Sequence, residues 1–247
     1  MTKPLASKIA LVTGGSRGMG ASIAKRLAAD GAKVALTYSA SPDKAEAVVK
    51  AITAAGGTAI AIKADSGVEA DVRAAVAKTV ETYGSLDILV NNAGMAISGA
   101  IDAYSVSDFD RMYAVNVKAI FIAVQEATKH MTSGGRIINI GSMMSDYGIF
   151  PGMTAYTMTK GAVSGLTRGL TRDLGPKGIT VNNVQPGPID TDMNPGDGPA
   201  SDMMRGMMAL GRFGTGDEIG SIVAYLASPE AGFITGAHIH VDGGLTA

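Results

Sequence analysis

KIALVTGGSRGMG, Lys8 to Gly20, sets a short apolar run directly against a glycine-rich turn. KIALVT predicts a buried strand. A helix follows from about Gly18 to Asp30, and Gly31 stops it. Gly14, Gly18 and Gly20 permit a tight turn and a close backbone approach. The helix start behind them offers free N–H groups and a positive dipole end to a pyrophosphate. The spacing is G-x-x-x-G-x-G, and on the motif alone a glycine-rich turn without a ligand stays open. Its place between the first strand and the first helix is what a phosphate loop requires.

The same alternation continues along the chain. KVALTY is a second strand. SPDKAEAVVKAITAAGG is a helix that opens with Ser41 as N-cap and Pro42 at the first helical position. TAIAIKAD is a strand, EADVRAAVAKTVETYG a helix and LDILVNN a strand. Later strands are GRIINIGS, GITVNNVQPG and AHIHVDGG, with helices between them. Near-continuous apolar strands alternating with helices predict a parallel sheet covered on both faces. No repeat or low-complexity tract interrupts the pattern. We therefore expect an α/β fold, a single doubly wound Rossmann-type domain over 1–247.

Composition narrows the function. The net charge of −1 supplies no broad basic field for nucleic acid or an anionic membrane. With no cysteine, disulfides and thiolate metal sites are excluded, which suits a reducing compartment. The apolar run in MTKPLASKIALVTGG is too short for a signal h-region or a membrane span, so the expectation is a cytoplasmic protein. His238 and His240 share one strand face without a third ligand nearby, and read as strand residues.

An NAD site usually carries an acid at the end of the second strand, for the ribose 2′-hydroxyl. Here that place reads Thr37, Tyr38, Ser39, and the first acid, Asp43, already belongs to the next helix. Arg17 lies inside the glycine loop. A guanidinium there, with hydroxyls at Tyr38 and Ser39, suits a 2′-phosphate, so NADP(H) is expected as cofactor. Lys44 reads as a solvated surface lysine.

TAYTMTK, Thr154 to Lys160, places a phenol and an ammonium at i and i+4 on one helix face. A phenol titrates near pH 10, and an adjacent cation lowers that value. The pair reads either as an acid/base device or as an ordinary polar helix face.

Taken together, the motifs resemble the short-chain dehydrogenase/reductase family over essentially the full chain. The resemblance rests on TGGSRGMG, Asp65, NNAG (Asn91 to Gly94), Asn116 in AVNVKA, Ser142 in INIGS, YTMTK, QPGPIDT and the terminal VDGG. It implies a catalytic tetrad of Asn116, Ser142, Tyr156 and Lys160. It also implies cofactor contacts from Gly14, Ser16, Arg17, Gly18, Met19 and Gly20, from Tyr38 and Ser39, and from Asp65 and Ser66. Asn92, Ala93, Gly94, Tyr156 and Lys160 continue the set, and Pro186, Gly187, Ile189 and Thr191 frame the nicotinamide end. The chain departs from the pattern in two places. Tyr156 stands one position further from Ser142 than is frequent in the family, and a methionine-rich segment follows Met193.

The activity so implied is reduction of a ketone to a secondary alcohol, with Tyr156 as proton donor, Ser142 as oxyanion donor and Asn116 supporting a water-linked proton path. A substrate loop at about 188–212 is expected, with Met144, Met153, Met193 and Met207 at an apolar ketone pocket. Met203, Met204, Met207 and Met208 recur at helical spacing, and read either as a mobile lid or as core filling under a surface helix. Gly161, Gly165 and Gly169 form a smooth ridge fit for close packing, and the resemblance implies a subunit interface there and a homotetramer. Two other functions stay open. One is a 3-oxoacyl carrier-protein reductase, which Thr132 and Ser133 disfavour by replacing expected basic residues although Lys177 is present. The other is a non-catalytic NADP-binding regulator.

Overall fold

A computed structural model describes residues 3–192 and 194–247. Among them, seven strands form one parallel sheet: β1 (Ile9–Val12), β2 (Lys33–Tyr38), β3 (Thr58–Lys63), β4 (Ile88–Asn91), β5 (Arg136–Ile140), β6 (Thr180–Pro186) and β7 (His238–Val241). Their spatial order is β3-β2-β1-β4-β5-β6-β7. The order reverses between β1 and β4. At such a switch the loops leaving the two strands part to opposite faces and open a crevice at the strands' carboxyl ends.

The strands carry apolar residues on both faces because helices cover both. From β1, Ala10 and Val12 join Ile23 and Leu27 of α1 (Gly18–Ala29), Val48 and Ile52 of α2 (Pro42–Ala54) and Ile219 and Val223 of α8 (Gly216–Ala227). Ile9 and Leu11 point the other way. They meet Val72 and Val76 of α3 (Glu69–Tyr83), Ile120 and Val124 of α5 (Ala119–Ala127) and Val163 and Leu174 of α6 (Thr154–Leu174). Each such side chain removed from water contributes about 1.5–3 kcal/mol before entropy is counted.

Local chemistry sets the element ends. Gly84 ends α3 in the left-handed region at φ 92°, where a β-carbon is penalised. Thr215 and Glu218 form a capping box at the start of α8. Ser105 caps α4 (Val106–Tyr113). Ser41 and Pro42 stand where the sequence places them, but the Ser41 side chain makes no capping bond. No helix among the described residues is long and apolar enough to cross a membrane. A short helix, α7 (Pro199–Met207), lies in the segment between β6 and α8.

Candidate active site

The glycine loop is tied down on both sides. Gly14 N–H donates to Thr37 Oγ1 and Gly15 N–H to the Thr37 carbonyl, each at 2.9 Å, which fixes the loop to the end of β2. On the β4 side, Thr13 Oγ1 accepts from the backbone N–H groups of Asn92 and Ala93, both at 3.0 Å. Asn92 Nδ2 donates to the carbonyls of Thr13 and Gly14 at 2.9 and 3.0 Å. A β-carbon on Gly20 would lie 2.3 Å from the Gly14 carbonyl oxygen, so only glycine fits. Helix α1 starts behind extended Arg17 with no side-chain cap and no acid in its first turn. That end carries the partial positive charge and donors of an anion cradle.

A cleft of about 390 Å³ opens over this loop. The predicted residues Gly14, Ser16, Arg17, Gly18, Met19 and Gly20 line it, joined by Tyr38 and Ser39, Asp65 and Ser66, Asn92, Ala93 and Gly94, and Thr191. Pro186, Gly187, Ile189, Tyr156 and Lys160 do not. Gly187 is instead pressed against the C-terminal turn, where a β-carbon would meet the Asp242 Cα at 2.6 Å. Ile189 is buried and walls a second cleft of about 430 Å³. Lys160 approaches the first cleft from below, since a β-carbon on Gly94 would lie 3.6 Å from its Nζ. Sequence reasoning missed Thr37, Ala64, Met95, Arg111, Val115 and Asp192 on the lining. Asp192 directly follows the foreseen Thr191, whereas Arg111 and Val115 arrive from a distant helix and the turn after it, with no motif to mark them.

Lys44 is not simply solvated. Its ammonium bonds Oδ2 of Asp192, a lining residue of the cleft, at 2.5 Å. Lys44 first, and Arg17 in support, hold the Asp192 carboxyl below its usual range.

The four tetrad candidates stand on three adjacent elements. Asn116 lies in a π-helical turn, Ala114–Lys118, between α4 and α5. Its Nδ2 donates to the Met95 carbonyl at 2.9 Å and to Thr159 Oγ1 at 3.1 Å, and its Oδ1 accepts from Met95 N–H at 2.9 Å. Thr159, fully buried and absent from the expected site, donates in turn to the Tyr156 carbonyl at 2.7 Å. Ser142 follows β5 and opens a 3₁₀ turn, Met143–Ser145, where its Oγ accepts from Met144 N–H at 3.2 Å. That bond leaves the serine proton available to a ligand. Tyr156 and Lys160 share one face of α6, with Lys160 Nζ 5.6 Å from the tyrosine ring centre and 2.9 Å from the Ile140 carbonyl.

The electrostatics correct the expected phenol shift. Tyr156 keeps some surface in contact with solvent, yet burial dominates and pushes the phenol up, with the Ser142 hydroxyl pulling the other way. Burial also lowers Lys160 from 10.5 to about 8. In this state the lysine is itself short of solvation, and its nearest bonded partner is a backbone carbonyl rather than the phenol.

The methionines divide. Met143 and Met144 are buried beside Ser142, and Met153 is half-buried at the start of α6. Met207 is 45% exposed and Met203 64%, so neither fills the core. Met208 is buried but lies beyond the end of α7 in extended backbone, so the helical face expected to include it ends at Met207. Met193 lies outside the described residues. The glycine ridge of α6 is covered by this chain only at its start. Gly161 approaches the Ser145 carbonyl, but β-carbons at Gly165 and Gly169 would meet nothing of this chain within 4 Å.

Comparison with known proteins agrees with this architecture. The family model described as enoyl-(acyl carrier protein) reductase matches residues 14–246. A short-chain dehydrogenase from Burkholderia cenocepacia, solved in complex with NADP, is similar at 50% identity and a TM-score of 0.97, covering 99% of this chain and 100% of that one. The cyclic-di-GMP-binding biofilm dispersal mediator protein of Escherichia coli is 46% identical over 96% of each chain. The 3-oxoacyl carrier-protein reductase FabG of Staphylococcus aureus is 42% identical over 97% of this chain and 98% of its own. The chain belongs to the short-chain dehydrogenase/reductase family, and it is an oxidoreductase of that family.

Proposed function

We propose that the protein is an NADPH-dependent carbonyl reductase acting on small apolar ketones, with Tyr156 as the proton donor. The observation that carries this reading is the grouping of Asn116, bonded through Thr159 to the Tyr156 carbonyl, with Lys160 beside the tyrosine ring and close to the cleft at Gly94. The glycine cradle, closed to any β-carbon at Gly20, fits a dinucleotide pyrophosphate, and the relative solved with NADP supports the choice of cofactor. Arg17, Tyr38 and Ser39 would hold the 2′-phosphate, and Thr191 with the Pro186–Ile189 stretch the nicotinamide end. When bound, NADPH supplies the hydride. Tyr156 gives its phenolic proton to the carbonyl oxygen as negative charge develops there. Ser142 donates a hydrogen bond to the same oxygen, and the Lys160 charge favours the phenolate that remains.

The reversible reaction returns a secondary alcohol. We also propose a homotetramer working in the cytoplasm. The ridge at Gly165 and Gly169, which this chain leaves uncovered, supports contact with a second copy.

Two other readings have relatives in their favour: the carrier-protein reductase and the cyclic-di-GMP-binding regulator. An absorbance assay of NADPH oxidation separates all three, offering an aryl ketone, a β-keto ester and an acyl thioester in turn. Oxidation with the ketones supports the carbonyl reductase. Turnover of the thioester alone favours the carrier reductase, and binding of cyclic-di-GMP without any oxidation favours the regulator.

A further inference from the structure

Ser142 begins a tight turn whose far end is Asp146. Ser145 donates to the Ser142 carbonyl through both its N–H, at 2.9 Å, and its hydroxyl, at 2.7 Å. Asp146 N–H closes onto the Met143 carbonyl at 3.2 Å. A displacement of Asp146 is therefore carried to Ser142 through a short, bonded path. Two groups from outside hold Asp146: Gln185 Nε2 of β6, 3.0 Å from its Oδ2, and His240 Nε2 of β7, 3.3 Å from the same oxygen.

The other side of the His240 ring faces the last residues of the chain. Nδ1 lies 2.8 Å from Thr246 Oγ1, and Thr246 Oγ1 lies 2.5 Å from Asp242 Oδ2. Asp242 also receives the backbone N–H of Gly244 at 3.0 Å and of Thr246 at 3.2 Å. Burial works against the Asp242 charge, but these bonds outweigh it and hold the carboxyl below its usual range. An ionised carboxylate only accepts, so the single Thr246 hydroxyl proton points to Asp242. The threonine oxygen can then only accept from Nδ1. Asp146 likewise only accepts from Nε2. Both ring nitrogens must carry protons for all of these contacts to hold together.

We propose that His240 is an imidazolium strut between the Ser142 turn and the C-terminal turn, and that it positions Ser142 for the reaction. The positioning half rests on the reductase reading. Removing either ring proton sets lone pair against lone pair, at Asp146 or at Thr246, and the strut loses one of its two ends. The groups facing the ring are Asp146 and the edge-on Tyr147 of the turn, and Asp242, 3.9 Å from Nδ1. His238 lies two residues away on β7 with Arg168 of α6 beside it, and the Arg212–Glu218 pair stands on the second cleft that His240 also lines.

Ring ¹⁵N NMR tests the strut without any assay of activity. The chain has three histidines, and His240→Gln assigns one set of signals. Both His240 nitrogens should be protonated at neutral pH, and Asp146→Asn or Thr246→Val should leave one of them bare. One bare ring nitrogen at neutral pH in the parent protein would overturn the strut. Kinetics test the positioning. Asp146→Asn should lower kcat for a ketone by roughly ten- to a hundredfold, the scale of a small misplacement, with KM for NADPH unchanged. His240→Gln should lower kcat over the same range, again with KM for NADPH unchanged. Unchanged kcat in both variants, in a parent that turns over, refutes the positioning role. A parent that reduces no carbonyl refutes the reductase reading instead, and the NMR result then decides the strut alone.

Discussion

Lys160 directs its ammonium to the carbonyl oxygen of Ile140, 2.9 Å away, while lying 5.6 Å from the centre of the Tyr156 ring. The catalytic lysine candidate is thus anchored on the sheet and buried, and that burial has a measurable consequence. Its pKa falls from 10.5 to about 8, so the folded state sheds the proton earlier than the unfolded chain. Between those values the unfolded state binds more protons, and stability rises with pH. Below about 8 the cost of the buried charge is present in full, of the order of 3 kcal/mol. Denaturant titrations of ligand-free protein should show stability climbing between the two values. Lys160→Met should be more stable at neutral pH and should lack this component of the slope. A parallel pH dependence in both proteins would contradict the assignment.

Tyr156→Phe keeps the ring and loses the proton. We expect NADPH affinity, read by fluorescence titration, to change little, and turnover to fall by roughly 10²–10⁴-fold. Turnover near the parent level would remove Tyr156 from the chemistry.

Arg17 lines the cleft, while Lys44 is engaged by Asp192. Arg17→Ala should weaken NADPH by about tenfold or more, the scale of a lost charge-assisted bond, and leave NADH almost unaffected. Equal losses for both cofactors would mean that Arg17 supports the loop rather than reading the 2′-phosphate.

Gly20→Ala would put a methyl group 2.3 Å from the Gly14 carbonyl oxygen, against backbone that cannot swing aside. Overpacking of this kind costs about 1–3 kcal/mol. Calorimetry should show a lowered Tm, and titration a weakened dinucleotide. A variant with parent Tm and affinity would show the loop to be more pliant than its bonds indicate.

Met207 and Met208, adjacent in sequence, should respond oppositely. Met208 is 5% exposed, and Met208→Ala should cost about 2–5 kcal/mol of stability. Met207 is 45% exposed, and Met207→Ala should leave stability nearly unchanged while altering the preference among ketones. An unchanged preference would argue against a lid.

The sheet was legible because its signals are local. Apolar runs such as KVALTY coincide with β2, and the glycines of GGSRGMG mark a turn that backbone geometry demands. Most of the dinucleotide cleft followed from the same loops. What could not be read depends on distance in space. Thr159 occupies a family-typical stretch, but its bond to Asn116 joins residues far apart in sequence. Arg111 and Val115 reach the cleft from helix faces that no periodicity distinguishes. The direction of the Tyr156 shift was missed because i, i+4 spacing reports a neighbouring cation but not the loss of solvent around both groups. Met208 fell outside α7 because helical spacing continues on paper past the point where the chain turns extended.

Asn116 has both amide protons committed within the protein, to the Met95 carbonyl and to Thr159. Its side chain therefore acts as a rivet between the β4 loop and α6, with no donor to spare for a passing ligand or water. An aspartate here would turn acceptors toward acceptors at both joints, and the rivet would become a wedge. Whatever this residue contributes to the site therefore depends on that seam staying shut.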